Sequence, residues 1–232
     1  IYDVQFKNNN ANKFSFPIIF EGRFIFENVL FERITSDYSP LFYISDPAQK
    51  LIFLKTDFIN CRCKDFIIEA VTSEVELIDS IFQFSNIALS SGVIKISALS
   101  LITINNVNVS NSKAEQGVIF YQADQASENG VANDILIQKC IFMEVEGLSL
   151  RFDIKQNSNE NVNINDCKFI NCGGITTSKG IVVESSDNSN GIQMNISNSQ
   201  LINFYGNNER TGFLVYCSSS SASISSQIQA FE

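Results

Sequence analysis

The sequence predicts an all-β chain wound into a parallel β-helix of about nine coils, 24–33 residues each, with three short strands per coil. Three observations predict it. One eight-residue pattern recurs nine times along the 232 residues. Its apolar positions alternate at period two, the spacing of a strand with one buried face. No helical period accompanies it, and no tight-turn pattern of paired antiparallel strands. An antiparallel sandwich is the competing architecture, and matched columns across nine copies argue against it.

The copies are IYDVQFKN from Ile1, FENVLFER from Phe26, FLKTDFIN from Phe53, LIDSIFQF from Leu77 and INNVNVSN from Ile104. IQKCIFME from Ile137, INDCKFIN from Ile164, ISNSQLIN from Ile196 and ISSQIQAF from Ile224 follow. Each opens on a large apolar residue, and two residues earlier stands a second apolar column, such as Phe24, Leu51, Val75 and Ile102. Together they make a first strand. Two residues after the opening position come Asp3, Asn28, Lys55, Asp79, Asn106, Lys139, Asp166 and Asn198. These are mostly turn formers, and Asn and Asp tolerate left-handed backbone at a sharp bend.

The second strand carries a Phe column: Phe6, Phe31, Phe58, Phe82, Phe142 and Phe169. Two residues beyond it an Asn column follows, with Asn8, Asn60, Asn111, Asn171 and Asn203. A third strand closes each coil, as in LFYI from Leu41, VIKI from Val93, VIFY from Val118 and FLVY from Phe213. Gly92, Gly117, Gly147, Gly180 and Gly212 stand just before it, and Pro40 and Asp65 take that place in two other copies. Glycine there supplies unusual corner backbone. Each strand pairs with its equivalent one coil along at about 4.8 Å, so nine coils make a rod about 40 Å long. The Phe column becomes an internal aromatic stack, and the Asn column an amide ladder.

The pattern of alternating apolar residues, then Asn or Asp, then Cys, Ser or Val, then Phe and Asn resembles the right-handed, single-stranded parallel β-helix repeats of pectin-lyase-like proteins. It is also similar to repeats of large protist and bacterial surface proteins. The resemblance covers the whole chain, residues 1–232 as one domain, and implies the fold more than an activity, because such folds include enzymes and structural rods.

Composition limits the chemistry. With 16 basic and 25 acidic residues the net charge is −9, which disfavours a phosphate backbone as partner. No His is present, which removes the commonest general base, serine-type triads and most zinc sites. The 26 Asn, 29 Ser and 20 Phe belong to a chain with enough apolar residues to pack a core. The Asn, Ile and Phe bias also suggests an AT-rich genome. No apolar run reaches the roughly 18 residues of a membrane span. The chain begins at Ile1 without a leader pattern, so it is expected to be mature or a piece of something longer. It stops a few residues into the ninth copy, and neither end carries an amphipathic cap. The expectation is that further coils, or further subunits, continue the rod.

Asn108-Val109-Ser110 and Asn195-Ile196-Ser197 are N-glycosylation acceptors, both at outward positions. Cys140 and Cys167 occupy one inward column in successive coils. They are either packed thiols or a disulfide, since one coil rise falls within the roughly 4.4–6.8 Å that a bridge requires. Cys61 and Cys172 share another column four coils apart, and no cysteine has the basic neighbour and His partner of a nucleophile.

On the outward face of the first strand, Ile25, Ile52, Leu54 and Ile78 form a candidate contact patch. Towards the C-terminus the same face turns polar, with Asn163, Asn165, Asn195, Ser197, Ser223 and Ser225. Pectin-lyase-like enzymes work on an outward face with carboxylates, a basic residue and often calcium. Here Glu27 and Glu76 are the acids of the two columns flanking the first apolar column. They sit about 10 Å apart, beyond the roughly 5–9.5 Å of paired glycosidase carboxylates. The five Arg fall in unrelated columns. Three insertions, residues 122–134, 155–161 and 185–191, project after the third strand as solvated spacers.

The expected function is a non-catalytic, structural, extracellular or cell-surface β-helix glycoprotein, a rod in a larger assembly or filament. An adhesin or glycan-binding module is the alternative, and a pectin-lyase-like polysaccharide lyase or hydrolase the third reading. No catalytic residue, metal ligand or cofactor is expected; calcium stays open as a ligand. Expected partners are other subunits, other regions of the same long chain, or glycans.

Overall fold

A computed structural model describes residues 1–7, 10–11, 16–17, 22–36, 40–46, 48–63, 65–71, 73–89, 92–97, 101–123, 133–154, 159–173, 181–185, 191–203 and 213–217. Every regular element among them is a β-strand, and every pairing is parallel. The chain is an all-β parallel solenoid built on three long sheets.

The first sheet stacks Gly22–Glu27, Gln49–Leu54, Glu74–Ile78, Leu101–Asn105, Asn133–Gln138, Asn159–Asn165 and Gly191–Ser197. The second stacks eight strands: Gln5–Lys7, Leu30–Glu32, Asp57–Ile59, Ile81–Leu89, Asn108–Ala114, Ile141–Gly147, Lys168–Ile170 and Gln200–Ile202. The third also stacks eight, from Phe16–Pro17 through Phe42–Ile44, Phe66–Val71, Gly92–Ser97, Gly117–Ala123, Leu150–Ile154 and Ile181–Ser185 to Phe213–Cys217. The predicted three strands per coil acquire a fourth at the N-terminal end, where Asn10–Ala11, Thr35–Ser36 and Arg62–Cys63 form a short sheet. In Ile81–Leu89, Asn108–Ala114 and Ile141–Gly147 this fourth strand merges into the second sheet, with a register shift between Gln83 and Ile87.

The register is the one the repeat dictates. Phe26 pairs with Phe53, Phe53 with Leu77, Leu77 with Ile104, and the column runs on through Ile137 and Ile164 to Ile196. The ninth copy, from Ile224, lies outside the described residues, as do Asn8, Gly180, Gly212, Ala222, Ser223 and Ser225. A one-residue slip would turn every core side chain to solvent, so the buried columns fix the pairing.

The Phe column is an aromatic stack. Ring centroids lie 5.0 Å apart for Phe6 and Phe31, 5.1 Å for Phe31 and Phe58, and 4.6 Å for Phe58 and Phe82. Val109 interrupts it, and Phe142 and Phe169 resume at 4.9 Å. Phe42 of the third sheet packs edge-on against Phe31 and Phe53. Three sheet walls thus close on one hydrophobic core.

Two of the bends in each coil, the first and second corner, are columns of left-handed backbone. Asp3, Asn28, Lys55, Asp79, Asn106, Lys139, Asp166 and Asn198 all have positive φ near 50°. So do Arg33, Asn60, Asn111, Glu144, Asn171 and Asn203 at the second corner. Side-chain ladders accompany them. Asn106 Nδ2 donates to Asp79 Oδ1 at 2.7 Å, and Asn203 Nδ2 to Asn171 Oδ1 at 3.1 Å. Gly92 and Gly117 stack on each other where the third sheet begins. A Cβ on Gly92 would stand 1.8 Å from the Gly117 carbonyl oxygen, so backbone approach demands glycine there. Gly147 belongs elsewhere: it pairs with Ala114 at the end of a second-sheet strand, not with Gly117. Asp65 also sits one residue early, because Phe66 is the residue paired with Gly92.

Candidate functional site

Where Thr, Ser or Cys follows a left-handed corner position, as at Thr56, Ser80, Cys140, Cys167, Ser199, Cys61 and Cys172, its side chain closes the bend. Thr56 Oγ1 donates to the carbonyl of Leu54 at 3.2 Å and to that of Phe26, one coil back, at 3.0 Å. Cys140 repeats this with Gln138 and Ile104, and Cys167 with Asn165 and Ile137. Cys61 and Cys172 do the same at the second corner, on Ile59 and Phe31 and on Ile170 and Phe142. The thiols act as hydroxyl equivalents, which explains how Ser, Thr and Cys exchange along one column. Cys61, Cys63, Cys140, Cys167 and Cys172 are free and buried. Burial pushes the thiols of Cys61 and Cys63 up to about 12, which makes them poor nucleophiles at neutral pH.

Charges on the outward faces pair across coils. Lys7 with Glu32, Lys50 with Glu74, Lys95 with Glu69 and Lys113 with Glu146 are each ion pairs of 2.9–3.2 Å. Each also joins residues directly opposite in the parallel register. Lys50 Nζ additionally reaches Glu76 at 2.7 Å. Its hydrogen bonds to Glu76 and Glu74 raise its pKa. Glu74 lies outside the two columns that sequence reasoning considered. Its signal is the spacing of 24 residues from Lys50, one coil. On the third sheet Arg151 holds Asp153 through two hydrogen bonds of 2.9 and 2.8 Å and lies 5.1 Å from the Phe120 ring centroid.

The candidate contact patch on the first sheet is less exposed than its outward parity suggested. Ile52 is 4% exposed, and Ile25, Leu54 and Ile78 are half-buried. Ile52 sits on the second strand of the sheet, with Lys50 and Leu54 along its own strand and Ile25 and Glu76 to either side. Four long neighbours shield an outward isoleucine. More exposed apolar groups stand on other columns at Tyr43, Ile81, Leu101 and Met143, and at Tyr2, which heads the column of Leu54 and Ile78.

Further along the same sheet the outward face is an array of amides and hydroxyls. Asn163 and Asn195 are exposed and directly paired. Beside them Ser197 Oγ donates to Asn165 Oδ1 at 2.9 Å, and Asn161 Nδ2 to Asp134 Oδ1 at 3.0 Å. Asn108 is exposed at the start of its second-sheet strand. The two glycan acceptors therefore lie on different sheets.

The first corner also holds a groove of about 350 Å³, lined by Asp3, Gln5, Asn28, Val29, Leu30, Lys55 and Asp57. Burial pushes the Asp57 carboxyl up, opposed by the Ile81 backbone N–H that it accepts. Asp3 and Asp57 lie two rungs apart and two residues along the strand, about 12 Å between backbone positions. Glu27 and Glu76 are likewise two strands apart, on either side of Gln49–Leu54. Among the described residues no group of three or more His, Cys, Asp or Glu is placed to hold a metal ion. No helix among them is long and apolar enough to cross a membrane. The three insertions fall between third-sheet and first-sheet strands, largely outside the described residues. No protein-family model, curated protein or solved structure matches the chain significantly.

Proposed function

We propose that this chain is a non-catalytic structural rod, one stretch of an extracellular or cell-surface β-helix glycoprotein within a larger assembly or filament. In this reading the chain winds nine right-handed coils of that rod. The right-handed sense follows the strong preference of parallel β-crossovers and the resemblance to pectin-lyase-like and protist surface-protein repeats.

The observation that carries the reading is the use of the outward charges. Four lysine–carboxylate pairs each join directly opposed residues of adjacent coils. These side chains serve coil-to-coil register. A catalytic face would aim acids at a substrate. The two acceptors Asn108 and Asn195 are exposed, which suits N-linked glycans. A second reading, a glycan-binding or adhesive module, draws on the amide array around Asn163, Asn165 and Asn195, whose donors and acceptors suit sugar hydroxyls.

Intact mass and electron microscopy of the native protein test the proposal. A polypeptide well above 25.9 kDa after deglycosylation, or filaments of repeating subunits, is the expected result. Specific capture on a glycan array would favour the second reading. Calcium-dependent cleavage of a uronic-acid polymer would overturn both.

A further inference from the structure

Cys140 and Cys167 stand in the same corner column on neighbouring rungs, since Gln138 pairs with Asn165 two residues before them. Both side chains are fully buried. The corner repeats one geometry, in which the backbone N–H of Cys167 donates to Ser199 Oγ at 3.1 Å and that of Thr56 to Ser80 Oγ at 3.2 Å, one rung on. By the same placement the Cys140 backbone N–H faces the Cys167 sulfur, and the two thiols are in contact. These bonds hold the Cys167 thiol below its ordinary range, while the same contact and burial push Cys140 up. Cys61, in the second-corner column, has no cysteine on the adjacent described rungs. Its second-corner column continues through Ser112 and Val145 to Cys172.

We propose that Cys140 and Cys167 are a disulfide-forming site, a staple between successive coils closed by a small-molecule disulfide such as oxidised glutathione. The Cα separation set by one rung, about 4.8 Å, lies inside the range a disulfide spans. Cys167, as thiolate, attacks one sulfur of the oxidant and releases one thiolate. Cys140, deprotonated in turn, attacks the Cys167 sulfur of the mixed disulfide and releases the second thiol. Two electrons pass to the oxidant, two cysteine protons leave, and one S–S bond replaces another. Burial places this exchange during folding, or in an opened corner, before the coil closes over the sulfurs. The bridge replaces the S–H donations to Gln138, Ile104, Asn165 and Ile137. Those carbonyls have strand partners or the neighbouring coil to turn to. The inference rests on the placement of the two cysteines and stands or falls separately from the structural-rod reading.

The full chain, refolded in reduced or oxidised glutathione, is alkylated in denaturant and mapped by mass spectrometry without reduction. Under oxidising conditions the expected product is a peptide pair joined through Cys140 and Cys167, with four of the six cysteines alkylated. The melting midpoint of the oxidised chain should exceed that of the reduced chain by about 6–12 °C, and Cys140→Ser should abolish that difference. Serine fits there, because Ser80 and Ser199 fill the same column with the same hydrogen bond, so the variant keeps the fold. Alkylation of all six cysteines, or a bridge through another pair, would overturn the site. A midpoint difference that persists in Cys140→Ser would do the same.

Discussion

The left-handed corner residues decide more per side chain than any others on the surface. Asn and Asp accept that backbone, whereas for a glutamate or lysine it costs about 1–2 kcal/mol. Glu144, at φ 54° and exposed, stands between Asn111 and Asn171 in the second corner column. Glu144→Asn should stabilise the chain by about 0.5–1 kcal/mol, read as a higher urea midpoint at unchanged slope. Asp57 gives a pH-dependent test. Burial raises its folded-state pKa, so the folded chain holds this proton more tightly than the unfolded one. The charged carboxylate therefore opposes folding above the folded-state titration, and that opposition vanishes as pH falls through it. Asp57→Asn should raise the melting midpoint at neutral pH, with the gain fading under acid conditions. A gain that grew towards acid pH would contradict the assigned cause. In the core, Phe58 stacks on both Phe31 and Phe82, and Phe58→Ala should cost about 3–5 kcal/mol in a denaturant titration.

Between elements, charge adds register to what packing already provides. Surface ion pairs are individually weak, about 0–1 kcal/mol, but like charges directly opposite are penalised. Lys95→Glu places two carboxylates opposite each other at Glu69, and should lose about 0.5–1 kcal/mol. The swap Lys95→Glu with Glu69→Lys should recover most of it, a coupling that a double-mutant cycle measures. The core columns were legible in the sequence because like stacks on like: Phe, Ile and Asn repeat at a fixed offset, and period two says which side they face. Complementary pairs do not repeat, so Lys50 with Glu74 and Lys95 with Glu69 left no column to see. Arg33 and Glu144 escaped for a related reason. Their left-handed backbone comes from the coil, not from their own preference. The exposure of the candidate contact patch was illegible for another reason. Parity places Ile52 on the outward face, but exposure there depends on the length of its four neighbours, which parity does not contain. The groove at Asp3, Lys55 and Asp57 depends likewise on side chains from three rungs.

Over the whole molecule, stability should behave as a sum of rungs and of the interfaces between them, because each rung touches only its neighbours. The aromatic stack divides at Val109 into an N-terminal run from Phe6 to Phe82 and a C-terminal pair, Phe142 and Phe169. An aromatic contact contributes about 0.5–1.5 kcal/mol beyond its burial, so the rungs meeting at Val109 lack a term that their neighbours share. Damage on one side should then spread poorly to the other. Phe142→Ala should speed amide exchange in Ile141–Gly147 and Lys168–Ile170 far more than in Leu30–Glu32 and Asp57–Ile59, under conditions where the chain stays folded. Hydrogen exchange resolved by mass spectrometry reads those four strands separately. Equal acceleration in all four would mean that the solenoid opens as one cooperative unit, and that Val109 marks no boundary.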